Sequence, residues 1–290
     1  MYGLIAIDID GTLTDDAGRV SDANLHAIQR ARDAGAVVTL CTGRGLVECM
    51  FAVEAIAQTD PVVVAGGAII SCPVTKDTLH RFAMDPALVA RVTGMLLEHD
   101  QPALVLKDPV AAGYDYLVVQ GEGELPLDPV TVWWFEELGV SARFARSLDD
   151  DQHPEHTVRV GVCARSSVST PIMADLKREL GDSSTIHHFP AVVDINFDHN
   201  QSVDIVEVFD GRAHKWSAVA ELADRLGVAH GSVAAIGNDI NDLTMLRGAG
   251  LGIAVANSVV EAKDAADRLT ESNTNSGVAV AIDRILSGEW

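Results

Sequence analysis

Cysteine is scarce in this chain: four in 290 residues, at positions 41, 49, 72 and 163. Their spacing fits neither a redox pair nor a set of metal thiolates, so they read as reduced thiols in a cytoplasmic protein. No apolar run approaches the ~20 residues that a membrane-spanning helix needs. No basic segment leads into a cleavable apolar stretch at the N-terminus, so no secretory signal is expected. Internal repeats and low-complexity segments are lacking as well. Cationic side chains are in deficit, 21 against 42 acidic ones, which gives a formal net charge of −21. A field of that sign repels nucleic acid and anionic membranes, and neither is an expected partner. It repels a phosphate ester too, so a phosphorylated ligand would need a local cation to offset it.

What the chain does have begins at once. Residues 4–13 read Leu-Ile-Ala-Ile-Asp-Ile-Asp-Gly-Thr-Leu. An apolar strand ends in Asp8 and Asp10, and residues i and i+2 of a strand point to the same side. Two carboxylates can therefore converge at the carboxyl end of a buried strand, where open α/β sheets hold their ligands. Two acids with no base between them suit cation binding and a nucleophile–acid pair.

The first part of the chain alternates strand and helix. Ser21 caps a predicted helix over 22–34, closed by Gly35, and strands are predicted at 36–40 and 62–65 with a helix over 45–57 between them. Short connections of this kind imply a parallel sheet covered on both faces. A hairpin over 68–72 and 79–82 leads out of that sheet. From 84 the rhythm becomes α+β: helices near 86–99, 129–139 and 171–180, strands near 103–107, 114–119, 157–164, 184–189 and 192–198. The βα rhythm then returns, with a strand at 203–209, a helix at 214–227 and buried strands at 232–236 and 251–255. The expected fold is therefore α/β, a doubly wound, parallel-sheet (Rossmann-like) core with an inserted α+β cap. Residues 1–83 and 200–290 form the core, and 84–199 form the cap.

Four short motifs fall at strand ends or helix starts of the alternating part. The first is Asp8-Ile9-Asp10-Gly11-Thr12. The second, Thr42-Gly43-Arg44, sets a hydroxyl and backbone N–H groups at a helix start, a natural seat for phosphate. The third is Lys215, early in the helix that follows the insert. The fourth is Gly237-Asn238-Asp239-Ile240-Asn241-Asp242, where a buried strand turns into a helix. Asn238 and Asp242, or Asp239 and Asp242, can share one face, and hard oxygen ligands of this kind suit Mg²⁺. Each motif alone is weak, since a lone lysine is usually a solvated charge and Gly-Asn-Asp is often an N-cap. Their order, each at the right kind of element boundary, is what carries the signal.

With these four motifs the chain resembles the haloacid-dehalogenase-like (HAD) superfamily of phosphatases, and within it the Cof-type branch with an α/β cap between the second and third motifs. The resemblance covers nearly the whole chain. It implies Mg²⁺ as cofactor, a small phosphorylated metabolite such as a sugar phosphate as substrate, and a cap that selects it. It also implies Asp8 as nucleophile, Asp10 as general acid and base, Thr42, Gly43 and Arg44 as phosphate seat, and Lys215 as the cation that neutralises the phosphoryl group and orients Asp8. The metal set it implies is Asp8, Asp10 through its carbonyl, and the Asn238–Asp242 turn. The family commonly reads Gly-Asp-x-x-Asn-Asp in the fourth motif, so Asn238 stands in the usual ligand slot with Asp239 beside it. Either residue can be the ligand, and ranking by charge sets Asp239 and Asp242 above Asn238. Ala65-Gly66-Gly67-Ala68 stands where many relatives have Ser-Asn-Gly-Ala. Two further readings compete with a phosphatase: a sugar phosphomutase of the same superfamily, and a dormant module that binds sugar phosphate without turnover. The sequence leaves oligomeric state and the identity of the substrate open.

Overall fold

The computed structural model describes residues 2–191 and 203–290. The chain forms two compact units: residues up to His80 together with His214–Trp290, and the intervening Arg81–Ala213.

The first unit is built on strands β1 (Leu4–Asp8), β2 (Val37–Cys41), β3 (Val62–Val64), β4 (Ile69–Ser71) and β5 (Thr78–Arg81), with helices α1 (Asp22–Asp33) and α2 (Met50–Ala55) between the first three. Ser21 caps α1, accepting the Asn24 N–H. The expected helix over 45–57 shortens to α2 and a preceding single turn, and Ala57 closes it at φ +48°. β1 runs parallel to β2, every residue of it is buried, and its side chains Leu4 to Ile7 are fully excluded from water. Burial of that completeness requires cover on both faces, which is the habit of parallel sheets.

The second unit contains α3 (Pro86–Glu98), β6 (Ala103–Lys107), α4 (Pro109–Ala112), β7 (Tyr116–Val119), α5 (Pro129–Glu137), β8 (Ala142–Ala145), β9 (Thr157–Arg165), α6 (Ser166–Leu180), β10 (Ser184–Pro190) and β11 (Val203–Asp210). Its six strands lie in the order β10-β11-β9-β6-β7-β8 and are antiparallel except for β7 with β8. Val160, Val162, Val206 and Val208 pack with Val92, Leu96, Ile172 and Leu176 of α3 and α6 in one apolar cluster. The alternating residues Arg159 and Glu207 turn the other way and form a buried ion pair at 2.5 Å, beside Tyr116 and the edge-on Trp134 ring. That alternation explains where β11 sits. The rhythm of the sequence makes this the first strand of the returning core, but it pairs antiparallel with both β9 and β10, and the chain leaves the second unit only after Ala213. A strand with Val206 and Val208 on one face and Glu207 on the other fits a sheet with two unlike faces better than one sandwiched on both sides. The strand expected at 192–198 lies outside the described residues.

The first unit resumes with α7 (Lys215–Leu226), β12 (Val233–Gly237), α8 (Leu243–Gly248), β13 (Leu251–Ala254), α9 (Val260–Ala265), β14 (Arg268–Leu269) and α10 (Gly277–Leu286). Its eight strands follow the order β14-β13-β12-β1-β2-β3-β4-β5. The sheet is mixed but mainly parallel, with β4 antiparallel to β3.

Candidate active site

β1 has β2 on one side and β12, from the far end of the chain, on the other. Strand order therefore reverses at β1, and open α/β sheets bind ligands at the carboxyl ends beside such a switch point. Asp8 closes β1 and stands in register with Cys41, so Thr42 is the next residue of the neighbouring strand. Gly237 closes β12, and Lys215 opens α7.

A buried acid–lysine–acid cluster joins these elements. Lys215 Nζ donates to Asp8 Oδ1 at 2.6 Å and to Asp242 Oδ1 at 2.7 Å, and Asn241 Oδ1 lies 3.5 Å away. Lys215 and Asp242 are fully buried and Asp8 nearly so. Burial works against the Lys215 ammonium, but Asp242 and Asp8 outweigh it and hold the amine protonated. Burial and the neighbouring Asp242 push the Asp8 carboxyl up to about 7, against the pull of Lys215. Two buried acids beside one ammonium leave the cluster in negative excess, and an added cation would restore balance.

Asp242 is committed to the turn that carries it. Its Oδ1 takes Lys215, while Oδ2 accepts the N–H groups of Asn238 at 2.8 Å and Asp239 at 3.1 Å. Asp239 in turn caps Ile240, accepting its N–H at 2.6 Å. Asn238 instead reaches the first motif: its Oδ1 accepts the Thr12 hydroxyl at 3.1 Å. Gly11 makes room for it, because a Cβ there would lie 2.6 Å from Asn238 Nδ2, and φ at Gly11 is +72°. The donors in this region are carboxylate, amide and main-chain oxygens, the set that suits Mg²⁺.

Asp10 and Arg44 stand outside the buried cluster as an exchangeable pair. The guanidinium grips the carboxylate with two hydrogen bonds of 2.9 Å. Thr42 is buried, its hydroxyl accepts the Arg44 N–H at 3.1 Å, and a Cβ on Gly43 would stand 3.9 Å from Asn241. Asp8, Lys215, Asp242, Asn238 and Thr12 thus share one hydrogen-bonded network, Asp10 and Arg44 form a second, and Asp239 is turned to its own helix.

Three contributors have roles that the sequence does not announce. Asn257 donates to the Gly11 carbonyl at 2.8 Å and accepts the Asn273 N–H at 2.9 Å, tying the first motif to the last part of the chain. It follows the buried strand β13, the same boundary rule that singled out Thr42. Gly67 sits at φ +100°, and a Cβ there would come within 2.2 Å of the His214 carbonyl carbon, so only glycine lets α7 begin this close. His214 is the N-cap of α7, and its Nδ1 accepts the Ser217 N–H at 3.1 Å.

A mainly parallel sheet with a polar cluster at its switch point, interrupted by an inserted α/β unit, defines a Rossmann-like enzyme class. This chain belongs to the haloacid dehalogenase-like hydrolase family, whose sequence model matches residues 5–282. It is 29% identical over 306 residues to the 5-amino-6-(5-phospho-D-ribitylamino)uracil phosphatase YwtE of Bacillus subtilis, with 99% of each chain covered. It is 25% identical over 279 residues to the pyridoxal phosphate phosphatase YbhA of Escherichia coli, covering 95% of this chain and 96% of the other. Its fold matches a haloacid dehalogenase-like hydrolase from Bacteroides thetaiotaomicron with a TM-score of 0.76 at 22% identity, over 98% of this chain and 100% of that one.

Proposed function

We propose that the protein hydrolyses the phosphate monoester of a small metabolite, a sugar phosphate or a molecule of similar size, through a phosphorylated Asp8. The observation that carries this reading is the buried Lys215 bridge between Asp8 and Asp242 at 2.6 and 2.7 Å. It fixes one Asp8 oxygen and leaves the other to attack phosphorus in line with the leaving oxygen. The ammonium then lies where negative charge collects on the transferring group. The Thr42 hydroxyl and the Gly43 N–H supply neutral donors to the phosphoryl oxygens, and the Arg44 guanidinium a cationic one. Asp10 delivers a proton to the leaving alkoxide. It takes one back from the water that cleaves the aspartyl phosphate, returning Asp8 as a carboxylate and releasing inorganic phosphate.

The Asp10–Arg44 pair suggests how the acid is made available. An arriving phosphate competes with Asp10 for the guanidinium, so substrate binding releases the carboxylate, which takes from solvent the proton that it then gives to the leaving oxygen. Mg²⁺, the cation typical of this family, would be held by Asp8, by the main-chain carbonyl of Asp10 and by Asn238, and when bound it supplies Lewis-acid neutralisation of the phosphoryl charge. Asn238 is preferred to Asp239 because it faces the loop that carries Asp10, while Asp239 caps Ile240. Asp242 serves as organiser, since Lys215 and two N–H groups already occupy its oxygens. In this reading the second unit selects the substrate.

The test is release of inorganic phosphate from a panel of sugar phosphates, pyridoxal phosphate and phosphorylated ribitylaminouracil in the presence of Mg²⁺. Phosphate monoester hydrolysis is among the slowest uncatalysed reactions, so Asp8→Asn is expected to abolish turnover. Substantial activity in pure Asp8→Asn protein would sink the mechanism. Isomerised hexose phosphate in place of free phosphate would make the protein a mutase.

A further inference from the structure

The loop between β8 and β9 carries three metal-ligating side chains that phosphoryl transfer does not use. One ligand atom each of His153, Glu155 and His156 lies within 4.8 Å of the other two. The rings of His153 and His156 stack at 5.9 Å with 20° between their planes, and His156 Nε2 stands 3.2 Å from Glu155 Oε1. Nδ1 of His156 is buried and has no hydrogen-bond partner, so this ring meets the protein's polar groups through Nε2, beside Glu155.

The backbone beneath these side chains is held from several directions. The fully buried Lys107 donates to the His153 carbonyl at 3.2 Å, to Asp151 Oδ2 at 2.5 Å and to Thr157 Oγ1 at 2.7 Å. Asp151 cancels the lysine charge and also accepts the His153 N–H at 3.0 Å. His156 donates its N–H to the His153 carbonyl at 3.0 Å and accepts the Asp108 N–H at 2.8 Å. The loop is pre-organised by main-chain contacts that leave the two imidazoles and the Glu155 carboxylate to face one another, as a ligand site requires.

We propose that His153, Glu155 and His156 bind one divalent transition-metal ion, Zn²⁺ by its chemistry, on the second unit. Two imidazoles beside one carboxylate form a donor set that suits zinc, and the imidazoles disfavour Mg²⁺. Ligand atoms around a tetrahedral zinc lie about 3.3 Å apart, so small rotations of the side chains close the observed triangle. The ion takes the place of the proton between Glu155 and His156, with His153 as third ligand and water in the fourth position. Such a site uses none of the Mg²⁺ ligands proposed above and does not depend on the phosphatase reading.

The experiment equilibrates the full chain with Zn²⁺ in the presence of excess Mg²⁺, removes unbound metal by gel filtration and counts the zinc retained. One zinc per chain is expected. Glu155→Gln should weaken it by about tenfold or more, and His153→Ala with His156→Ala should abolish it. In parallel, Zn²⁺ should raise the thermal midpoint of the parent protein by mass action and leave that of the double variant unmoved. Co²⁺ should give a visible d–d spectrum in the parent alone. Glu155 is exposed, so its variant keeps the test valid if the His156 variant does not fold. Zinc retention that is absent from the parent, or unchanged by Glu155→Gln and His153→Ala, would overturn the proposal.

Discussion

At the scale of single residues, Lys215 is the side chain on which most depends. Replacing it with methionine keeps the volume but leaves Asp8 and Asp242 buried without their cation. Breaking a buried pair by removing one partner costs ~3–5 kcal/mol. Lys215→Met should therefore lower the urea midpoint by a corresponding amount and lose turnover as well; a fully stable variant would mean that the two carboxylates share a proton instead. Asp10 makes a different prediction. Its grip on Arg44 is at the rim of the site, so Asp10→Asn should keep Mg²⁺ affinity and lose most turnover. The loss should be smaller for aryl than for alkyl phosphates, whose poorer leaving oxygen needs the proton more. Equal losses for both classes would remove the general-acid role. These residues were legible in the sequence because each follows an apolar run that can only be a buried strand, or opens the helix after one. The partner of Asp10 was not legible, since nothing in the spacing of 10 and 44 says that two charges will pair. Nor was the commitment of both Asp242 oxygens, because ranking ligands by charge ignores hydrogen bonds already made.

Among elements, α7 is the one whose position decides the site, and its start is built from unusual parts. Gly67 admits the backbone of His214, and His214 caps the helix through an imidazole lone pair that only the unprotonated ring offers. Burial lowers the pKa of His214 below its ordinary value near 6.5. In the unfolded chain the ring takes up a proton first as acid is added, so the folded state loses stability as pH falls from about 6.5 toward the folded pKa. His214→Asn keeps a good N-cap without a titrating group. Unfolding free energies measured between about pH 5.5 and 7.5 should therefore slope less in this variant than in the parent. Equal slopes would exclude His214 as a source. Element boundaries were the least readable level. β8 was missed because Ala142–Ala145 is a short edge strand with an exposed Phe144, which gives almost no alternation signal. α2 was read too long because Val47 to Cys49 share its composition, yet the buried Glu48 turns back to accept the Gly45 N–H at 2.8 Å and holds that stretch in a separate turn.

For the whole molecule, a net charge of −21 is a standing repulsion that folding must overcome. Added salt screens it over the Debye length, ~10 Å at 0.1 M. The thermal midpoint is expected to rise between about 0.05 and 0.5 M NaCl, measured in chloride so that specific phosphate binding does not contribute. A midpoint that falls would mean that the surface ion pairs, such as Arg30–Asp283, outweigh the net field. The two-unit plan was visible in the change from βα to α+β rhythm, although its second boundary was displaced, because β11 has the strand signature of either sheet until its pairing is known. The same plan has a consequence for synthesis. β1 needs β12 as a neighbour, and Leu4 is in register with Val233. At ~5–20 residues per second a ribosome makes the second strand roughly 10–50 s after the first. Throughout that interval Leu4 to Ile7 emerge with one edge unpaired, while the inserted unit, contiguous in sequence, has everything it needs to close. The middle of the protein is thus able to finish before its beginning, and the nascent chain carries an open apolar strand edge that a chaperone would recognise.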